Sequence, residues 1–302
     1  MIVKVAFIIN GSRQLSKTSR LTLHLATKNK NLQCQLYTTE YSKHGIELVQ
    51  RAVNDKFNVI IAVGGDGTCN EVVNGIQLSS RIKDVVFGII PNGTGNDFQK
   101  MLGKFDPNKF VNALCFQKSK SIDLIKIESS QQVTYSLNIS GVGFDGHAVH
   151  VLKNFRERIF LSGKLSYSIA ILKSFVGYKS PITTISSAEF SHSGKTLMLV
   201  VCNGRFFGHG LIINPDAKID DGLLNITLLG NVSFLDYLKN LAKLKKGLKI
   251  IHNHVHYFQT KELKISMNNE KLFTEADGEI VGQGNMKFSI LPSQLKIIYS
   301  CF

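Results

Sequence analysis

Cysteine is scarce in this chain: five residues in 302, at positions 34, 69, 115, 202 and 301, an odd number with no Cys-x-x-Cys pair. Reduced thiols fit that usage better than a disulfide framework, and they imply a cytosolic setting. Long hydrophobic runs are missing too, since no segment approaches the roughly 18 apolar residues that a membrane span needs. The apolar start, Met1 to Asn10, is too short for a signal peptide and is read as a buried strand. Internal repeats, low-complexity linkers and a Cys-based zinc pattern are all absent. What is present is apolar substance: 43% of the residues are hydrophobic, enough at this length to bury a full core divided between two domains.

Acidic residues are outnumbered. Lys and Arg total 36 against 22 Asp and Glu, a formal net charge of +14. Such an excess suits a polyanionic partner: nucleic acid, an anionic membrane surface or a phosphate-rich small molecule. The basic residues are scattered, without the Arg-rich arms and interleaved aromatics of nucleic-acid modules. No nucleic-acid partner is therefore expected.

Over the first half, apolar residues alternate between two periods. Ile2 to Ile9 is nearly continuous, Leu32, Cys34 and Leu36 follow at strand spacing, and Ile46, Val49, Ala52 and Val53 at helical spacing. Val59 to Val63 and Val85 to Ile90 are short runs that each lead into a glycine turn, as central strands of a parallel sheet covered on both faces do. A doubly wound α/β domain is expected over residues 1–128. Past Leu124 the texture becomes mostly β, with runs at Tyr135 to Ser140, Leu197 to Cys202, Leu223 to Leu229 and the alternating Leu263, Ile265 and Met267. This defines a second domain over 129–291, after which Leu295 to Tyr299 is placed to return to the first. Two stretches in that half have helical spacing: Gly163 to Val176, and Phe234 to Leu248, where Leu238, Leu241, Leu244 and Leu248 form a stripe among Lys239, Lys243, Lys245 and Lys246. The stripe suits core, and the lysines equally suit an anionic bilayer.

The chemistry concentrates in the glycine turns. Val59 to Val63 runs into Gly64-Gly65-Asp66-Gly67-Thr68, and Thr68 with Glu71 reads as a Thr-x-x-Glu capping box opening a helix. Strand, glycine turn and helix start together make an anion site, because glycines let backbone N–H groups approach phosphate oxygens and the helix end adds partial positive charge. A carboxylate there, Asp66, is repulsive to phosphate unless it serves Mg²⁺, orients a hydroxyl or accepts a proton, which points to phosphoryl transfer. The plainer alternative is an Asp capping its own turn. A second turn, Asn92-Gly93-Thr94-Gly95-Asn96-Asp97, follows the next strand and would lie beside the first at the carboxyl edge of the sheet, where open α/β sheets bind ligands.

These two turns, with Asn70-Glu71 after the first, resemble the diacylglycerol kinase catalytic-domain family, which includes sphingosine kinases and bacterial soluble lipid kinases within the NAD kinase-like superfamily. The likeness continues through Ser121-Ile122-Asp123-Leu124, Gly141-Val142-Gly143-Phe144-Asp145, Gly163-Lys164-Leu165-Ser166-Tyr167, Pro215-Asp216-Ala217, Asp221-Gly222-Leu223-Leu224 and Asp277-Gly278-Glu279, in that order. It covers nearly the whole chain. The resemblance implies an ATP-dependent kinase with an NAD kinase-like α/β domain, a β-sandwich-like second domain, and a diacylglycerol-like lipid alcohol as acceptor.

Carried over by position, Thr39, Gly64, Gly65, Asp66, Gly67, Thr68, Cys69, Asn70 and Thr94 are the implied ATP contacts, with Asp66 serving Mg-ATP. Asp97 is implied to face the lipid hydroxyl, and Glu279 to be the proton acceptor with Asp277 close by. Lys218, Asp221 and Leu223 align with a structural Mg²⁺ site in which two ligands are backbone carbonyls. A carboxylate base suits the reaction, since an alcohol keeps its proton until late in phosphoryl transfer. The other reading of Asp277-Gly278-Glu279 is a hairpin turn. The implied cofactors are ATP and Mg²⁺, and the implied setting is cytoplasmic with transient contact to the anionic inner membrane surface. A homodimer is compatible with these features, and no pattern selects an oligomeric state.

The chain departs from the family at Asn10-Gly11-Ser12, which lacks the usual proline, at His209, where glycine is usual, and at His44-Gly45. No expected carboxylate is lost. Gly141 to Gly146 fits Gly-x-Gly-x-x-Gly without a following acid to hold a ribose, Gly194-Lys195-Thr196 lacks the leading glycine of a P-loop, and His252, His254 and His256 share strand spacing that suits zinc or plain solvation. Two other functions remain open from sequence: an NAD kinase or other small-molecule kinase, and a non-catalytic nucleotide- or lipid-binding regulator.

Overall fold

A computed structural model of the chain describes residues 2–158, 174–175, 178–267 and 272–299. Two compact units emerge, Met1–Leu124 with Pro292–Phe302, and Ile125–Leu291. The first unit runs β1 (Val3–Asn10), α1 (Lys17–Lys28), β2 (Leu32–Thr39), α2 (His44–Asn54), β3 (Val59–Gly64), α3 (Asp66–Gln77), β4 (Val86–Pro91), α4 (Asp97–Met101) and α5 (Pro107–Cys115). Its strands are parallel in the order β2-β1-β3-β4, and the end of the chain's last strand adds a fifth, Lys296 opposite Val86 and Ile297 opposite Phe87.

Successive side chains of a strand point to opposite faces, so a strand apolar throughout must be covered twice. Val3, Val5, Phe7 and Ile9 of β1 join Val59, Ile61 and Val63 of β3 under Leu23 and Ala26 of α1 and Phe110 and Leu114 of α5. Their neighbours Ala6, Ile8, Ile60 and Ala62 are equally buried, on the side where α2 and α3 pack on each other and on the sheet. At the edge the alternation predicts burial less well: Leu32 of β2 is buried while Leu36 is exposed.

The second unit comprises β5 (Ser119–Glu128), β6 (Val133–Ser136), β7 (Ile139–Gly143), α6 (Phe144–Arg158), β8 (Ile182–Ser186), β9 (Ser191–Lys195), β10 (Met198–Cys202), β11 (Phe206–Phe207), β12 (Leu211–Ile212), β13 (Leu224–Leu229), α7 (Phe234–Lys246), β14 (Val255–Thr260), β15 (Glu262–Met267), β16 (Phe273–Ala276), β17 (Glu279–Gln283) and β18 (Met286–Ile298), with the start of β5 and the end of β18 belonging to the first unit. One sheet is antiparallel, in the order β14-β13-β10-β7-β16-β17. Leu199 and Val201 of β10 and Ile226 and Leu228 of β13 meet Leu263 and Ile265 of β15 and Phe288 of β18 in one core, which makes the unit a sandwich. The intervening Met198, Val200 and Cys202 turn to the sheet's other face, where Ala148 of α6 and Leu244 of α7 cover them.

Two expectations change here, and a third lies almost wholly outside the described residues. The run Tyr135 to Ser140 is two strands, broken at Leu137-Asn138, because the amides at the break bond a distant carboxylate rather than a neighbouring strand. The expected helix Gly163 to Val176 falls outside the described residues except at positions 174–175. The leucine stripe of α7 is only partly core: Leu244 is buried and Leu241 half-buried, whereas Leu238 and Leu248 are exposed.

Candidate active site

The carboxyl ends of four parallel strands supply the loops of one polar site in the first unit. Gly64 ends β3, Gly65 is the N-cap of α3 in an extended conformation, and Asp66, Gly67 and Thr68 form that helix's first turn. The first N–H groups of a helix have no acceptor within it; the amide of Cys69 is the first to bond back, to the Gly65 carbonyl at 3.1 Å. A helix start of this kind is one that can take an anion. The second turn lies against the first: a Cβ on Gly93 would meet Gly65 Cα at 2.4 Å, so only glycine allows the two loops this approach. Asn96, at φ 49°, closes the second turn by exchanging two hydrogen bonds with Gly93, each 2.9 Å.

Most of the sequence-derived nucleotide contacts meet here. Thr39, the last residue of β2, accepts the Gly11 amide at 3.2 Å, and Thr68 Oγ1 accepts from Asn10 Nδ2 at 3.0 Å. Thr94 Oγ1 accepts from Arg13 Nη1 at 2.9 Å. Asp66 Oδ1 accepts the Phe98 amide at 3.2 Å, so this acid tethers the second turn's helix. Asp97 is buried and paired with Lys100. A Cβ on Gly95 would lie 3.1 Å from Asp66 Oδ2 and 3.5 Å from Asp97 Oδ2, so both carboxylates flank one glycine. Cys69 and Asn70 sit deeper, with buried side chains, and Asn70 accepts from Asn74 Nδ2.

Sequence reasoning missed the loop after β1. Asn10 binds Thr68 and also accepts from Ser12 N and Oγ, and Arg13 brings a cation to Thr94. Its position at the carboxyl end of an interior parallel strand was the available signal. The capping box also requires correction. Thr68 lies inside α3 rather than at its cap, and Glu71 reaches another helix, its Oε1 accepting the Lys43 amide at 2.8 Å and its Oε2 that of Gly45 at 2.9 Å. Glu71 thus satisfies orphan amides at the start of α2. Gly45 is small for a reason, since a Cβ there would lie 2.6 Å from Glu71 Oε2.

In the second unit, Asp277 and Gly278 form the two-residue turn between β16 and β17, at φ 52° and 88°, both in the left-handed region such hairpins use. The Asp277 carboxylate is a clamp: Oδ1 accepts from Ser136 Oγ (2.8 Å), Asn138 N (2.9 Å) and Ile139 N (3.2 Å), and Oδ2 from Leu137 N (2.9 Å). Glu279 opens β17 with an exposed side chain. Asp277 and Glu279 therefore share a turn with different environments.

Behind that turn is a buried acid pair. Glu275 Oε2 accepts the Gly278 amide at 2.8 Å, and Glu275 is hydrogen-bonded to Asp145, whose pKa burial pushes up to about 6, while burial and the Asp145 charge push Glu275 well above the carboxylate range. Glu275 keeps its proton longer and shares it with Asp145. Asp145 lines an apolar cavity of about 690 Å³, counted to its open mouth, walled by Phe144, Phe175, Met198, Leu229, Leu244 and Val255. The folded state binds the Asp145 proton more tightly than the unfolded chain does, so this group's stability contribution is full below about pH 4 and is lost as pH rises through about 6. Asp145→Asn is expected to remove that decline. Thermal unfolding midpoints of the two proteins between pH 4 and pH 8 check it.

Asp221-Gly222-Leu223 is a tight turn, with Gly222 at φ 70° and Leu223 N donating to Asp221 Oδ1 at 3.1 Å. One carboxylate with the carbonyls of Lys218 and Leu223 would be an all-oxygen donor set, the chemistry a hard cation such as Mg²⁺ takes. The histidines do not assemble: the His252 and His254 rings are 5.7 Å apart, but His256 lies beside Phe190 and His192. Among the described residues, no three His, Cys, Asp or Glu side chains are grouped as metal ligands. The glycines of Gly141 to Gly146 serve packing, since a Cβ on Gly146 would meet the Phe273 carbonyl at 2.3 Å.

Known proteins resemble this chain over both units. Residues 4–127 match the diacylglycerol kinase catalytic domain, and residues 131–299 match the YegS C-terminal NAD kinase beta sandwich-like domain. A Staphylococcus haemolyticus protein named "Putative lipid kinase" is 30% identical over 286 residues, spanning 92% of this chain and 89% of its own. The chain belongs to the YegS-like lipid kinase family. A Staphylococcus carnosus relative of this kinase, with the same name, is 29% identical, covering 92% of this chain and 91% of its own. Among solved structures, a diacylglycerol kinase from Bacillus anthracis, titled as putative, superposes with a TM-score of 0.75 at 22% identity, covering 98% and 97% of the two chains. An NAD kinase from Archaeoglobus fulgidus in complex with ATP gives 0.54 at 12%, covering 98% and 93%. The kinase therefore has the NAD kinase-like α/β domain and β-sandwich-like second domain expected of it. Among its described residues, no helix is long and apolar enough to cross a membrane.

Proposed function

We propose that this kinase transfers the γ-phosphate of ATP, with Mg²⁺, to a hydroxyl of a diacylglycerol-like lipid. The observation that carries the lipid half of the reading is the apolar cavity of the second unit, whose wall is almost wholly aliphatic and aromatic apart from Asp145, Asp236, Asn240 and His252. Such a wall suits an acyl chain and would leave the polar groups of a nucleotide acceptor without partners. The nucleotide half is supported by the glycine-on-glycine loops and the α3 N-terminus that follows the first of them.

Within this reading the amides of Asp66, Gly67 and Thr68 bind phosphate oxygens, and Arg13, held by Thr94, adds positive charge. Thr39, Cys69 and Asn70 form the loop's supporting wall. Asp66 would hold the magnesium of Mg-ATP, and Asp97, across Gly95 from it, would face the lipid hydroxyl. Lys218 and Leu223, through their carbonyls, and Asp221 would hold a second magnesium. Bound Mg²⁺ supplies charge neutralisation at the phosphates. Glu279 orients the lipid hydroxyl and takes its proton, while Asp277 holds the turn that carries Glu279.

Purified protein with labelled ATP and Mg²⁺ is expected to phosphorylate diacylglycerol dispersed in mixed micelles, and to leave NAD unlabelled. Label on NAD with none on any lipid alcohol would replace this reading with the small-molecule kinase. Nucleotide binding without transfer to either would favour a non-catalytic regulator.

A further inference from the structure

Four of the twelve exposed large apolar side chains among the described residues fall within residues 235–251: Leu235 (63% exposed), Leu238 (45%), Leu248 (53%) and Ile251 (90%). The helix α7 buries Leu244 toward the sheet. At 100° per residue the opposite face carries Leu235, Leu238 and Ala242, with Lys239 and Lys246 on one side and Lys245 on the other. Ala242, Lys239, Lys245 and Lys246 are all exposed. Residues 234–251 hold five Lys against one Asp, and Asp236 is engaged in the helix's own capping box with Ser233. Lys249 pairs with Asp216, whereas among the described residues no ion pair is found for Lys245 or Lys246, both exposed.

We propose that this outer face of α7, with Leu248 and Ile251 beyond its C-cap, is the surface by which the protein rests on an anionic bilayer. Apolar side chains flanked by lysines are the pattern of a helix lying in the membrane interface, where the leucines enter the acyl boundary and the ammonium groups meet anionic headgroups. A second copy of this chain fits less well, because two such lysine-bearing faces repel. The same segment lends Asp236, Asn240, Leu244, Ile250 and His252 to the wall of the apolar cavity. A bilayer held on the outer face therefore lies about one helix diameter, some 10–12 Å, from that cavity. That the docked face serves loading of a lipid acceptor rests on the lipid-kinase reading above; the docking itself does not.

The test is co-sedimentation with vesicles of phosphatidylcholine alone or mixed with phosphatidylglycerol, for the wild type, Leu235→Ser/Leu238→Ser/Ile251→Ser and Lys245→Glu/Lys246→Glu. These side chains lie outside the cavity wall and outside the phosphate site. Binding is expected only to the phosphatidylglycerol vesicles, reduced about tenfold or more in each variant, as removal of two surface lysines and three apolar anchors requires. Far-UV circular dichroism and the unfolding midpoint should match the wild type. Equal partition of wild type and both variants would overturn the proposal. So would no partition at all, or a wild-type dimer that the serine variant converts to monomer. Transfer to a short-chain, water-soluble diacylglycerol should be the same in all three proteins. If that transfer is absent while the vesicle pattern holds, the kinase reading fails and the docking stands.

Discussion

Asp66→Asn is expected to lower phosphoryl transfer by about 10²- to 10³-fold, the scale of losing one preorganised electrostatic group at a reacting centre, and to leave the first unit folded. The substitution separates two roles that the wild-type residue combines. As a structural acceptor, Asp66 Oδ1 takes the Phe98 amide at 3.2 Å, and the amide oxygen of Asn can do the same. As a charge, it sits in the first turn of α3 and across Gly95 from Asp97, where Asn is neutral. Loss of a carboxylate at a helix N-terminus costs only about 0.3–1 kcal/mol. The unfolding midpoint should therefore shift by a few degrees at most. Steady-state assays at saturating ATP, with magnesium varied, read the effect: the variant should fall in kcat and require more magnesium. Activity within about threefold of wild type would make Asp66 a tether for α4 and remove it from the reaction.

The two glycine turns could be recognised from sequence because both requirements are local. A short apolar run followed by glycine and a helix start is a contiguous pattern, and β3 and β4 with their turns lie where the runs at Val59 and Val85 put them. Their contact is not local, since Gly65 against Gly93 depends on neighbouring parallel strands in register, Gly64 opposite Pro91. Pair motifs were less secure. Thr68 and Glu71 have capping-box spacing, yet the partners Asn10 and Gly45 come from β1 and α2, and a four-residue pattern carries no information about them. Arg13 went unread because the loop after β1 lacks the proline of its family. His209 tells the same story in reverse: it adopts φ 70° between Gly208 and Gly210, both also at positive φ, a conformation that favours glycine and explains why glycine is usual there. On α7, periodicity located the helix, but the width of the buried stripe depends on how the sheet face beneath it is filled, which periodicity does not contain.

Asp277 and Glu279, two residues apart, are expected to fail in opposite ways. Asp277→Ala removes one acceptor from three backbone amides and one hydroxyl, those of Leu137, Asn138, Ile139 and Ser136. Buried donors left without a partner cost about 1–3 kcal/mol each. The site is half-buried, so water recovers part of that loss, and we expect about 3 kcal/mol. For a unit of this size, that lowers the unfolding midpoint by about 6–12 °C. Asn, which accepts through one oxygen and tolerates the positive φ of the turn, should recover about half of it. Glu279→Gln should leave the midpoint unchanged, because its side chain is exposed at the start of β17, and should lower lipid phosphorylation by about 10²-fold or more, as loss of a general base does. Calorimetry and the transfer assay on the same three variants form the check. If Asp277→Ala were as stable as wild type and inactive, the clamp would be secondary and Asp277 would be the base. If Glu279→Gln kept wild-type turnover, the hairpin's part in the reaction would end at holding Leu137 to Ile139 in place.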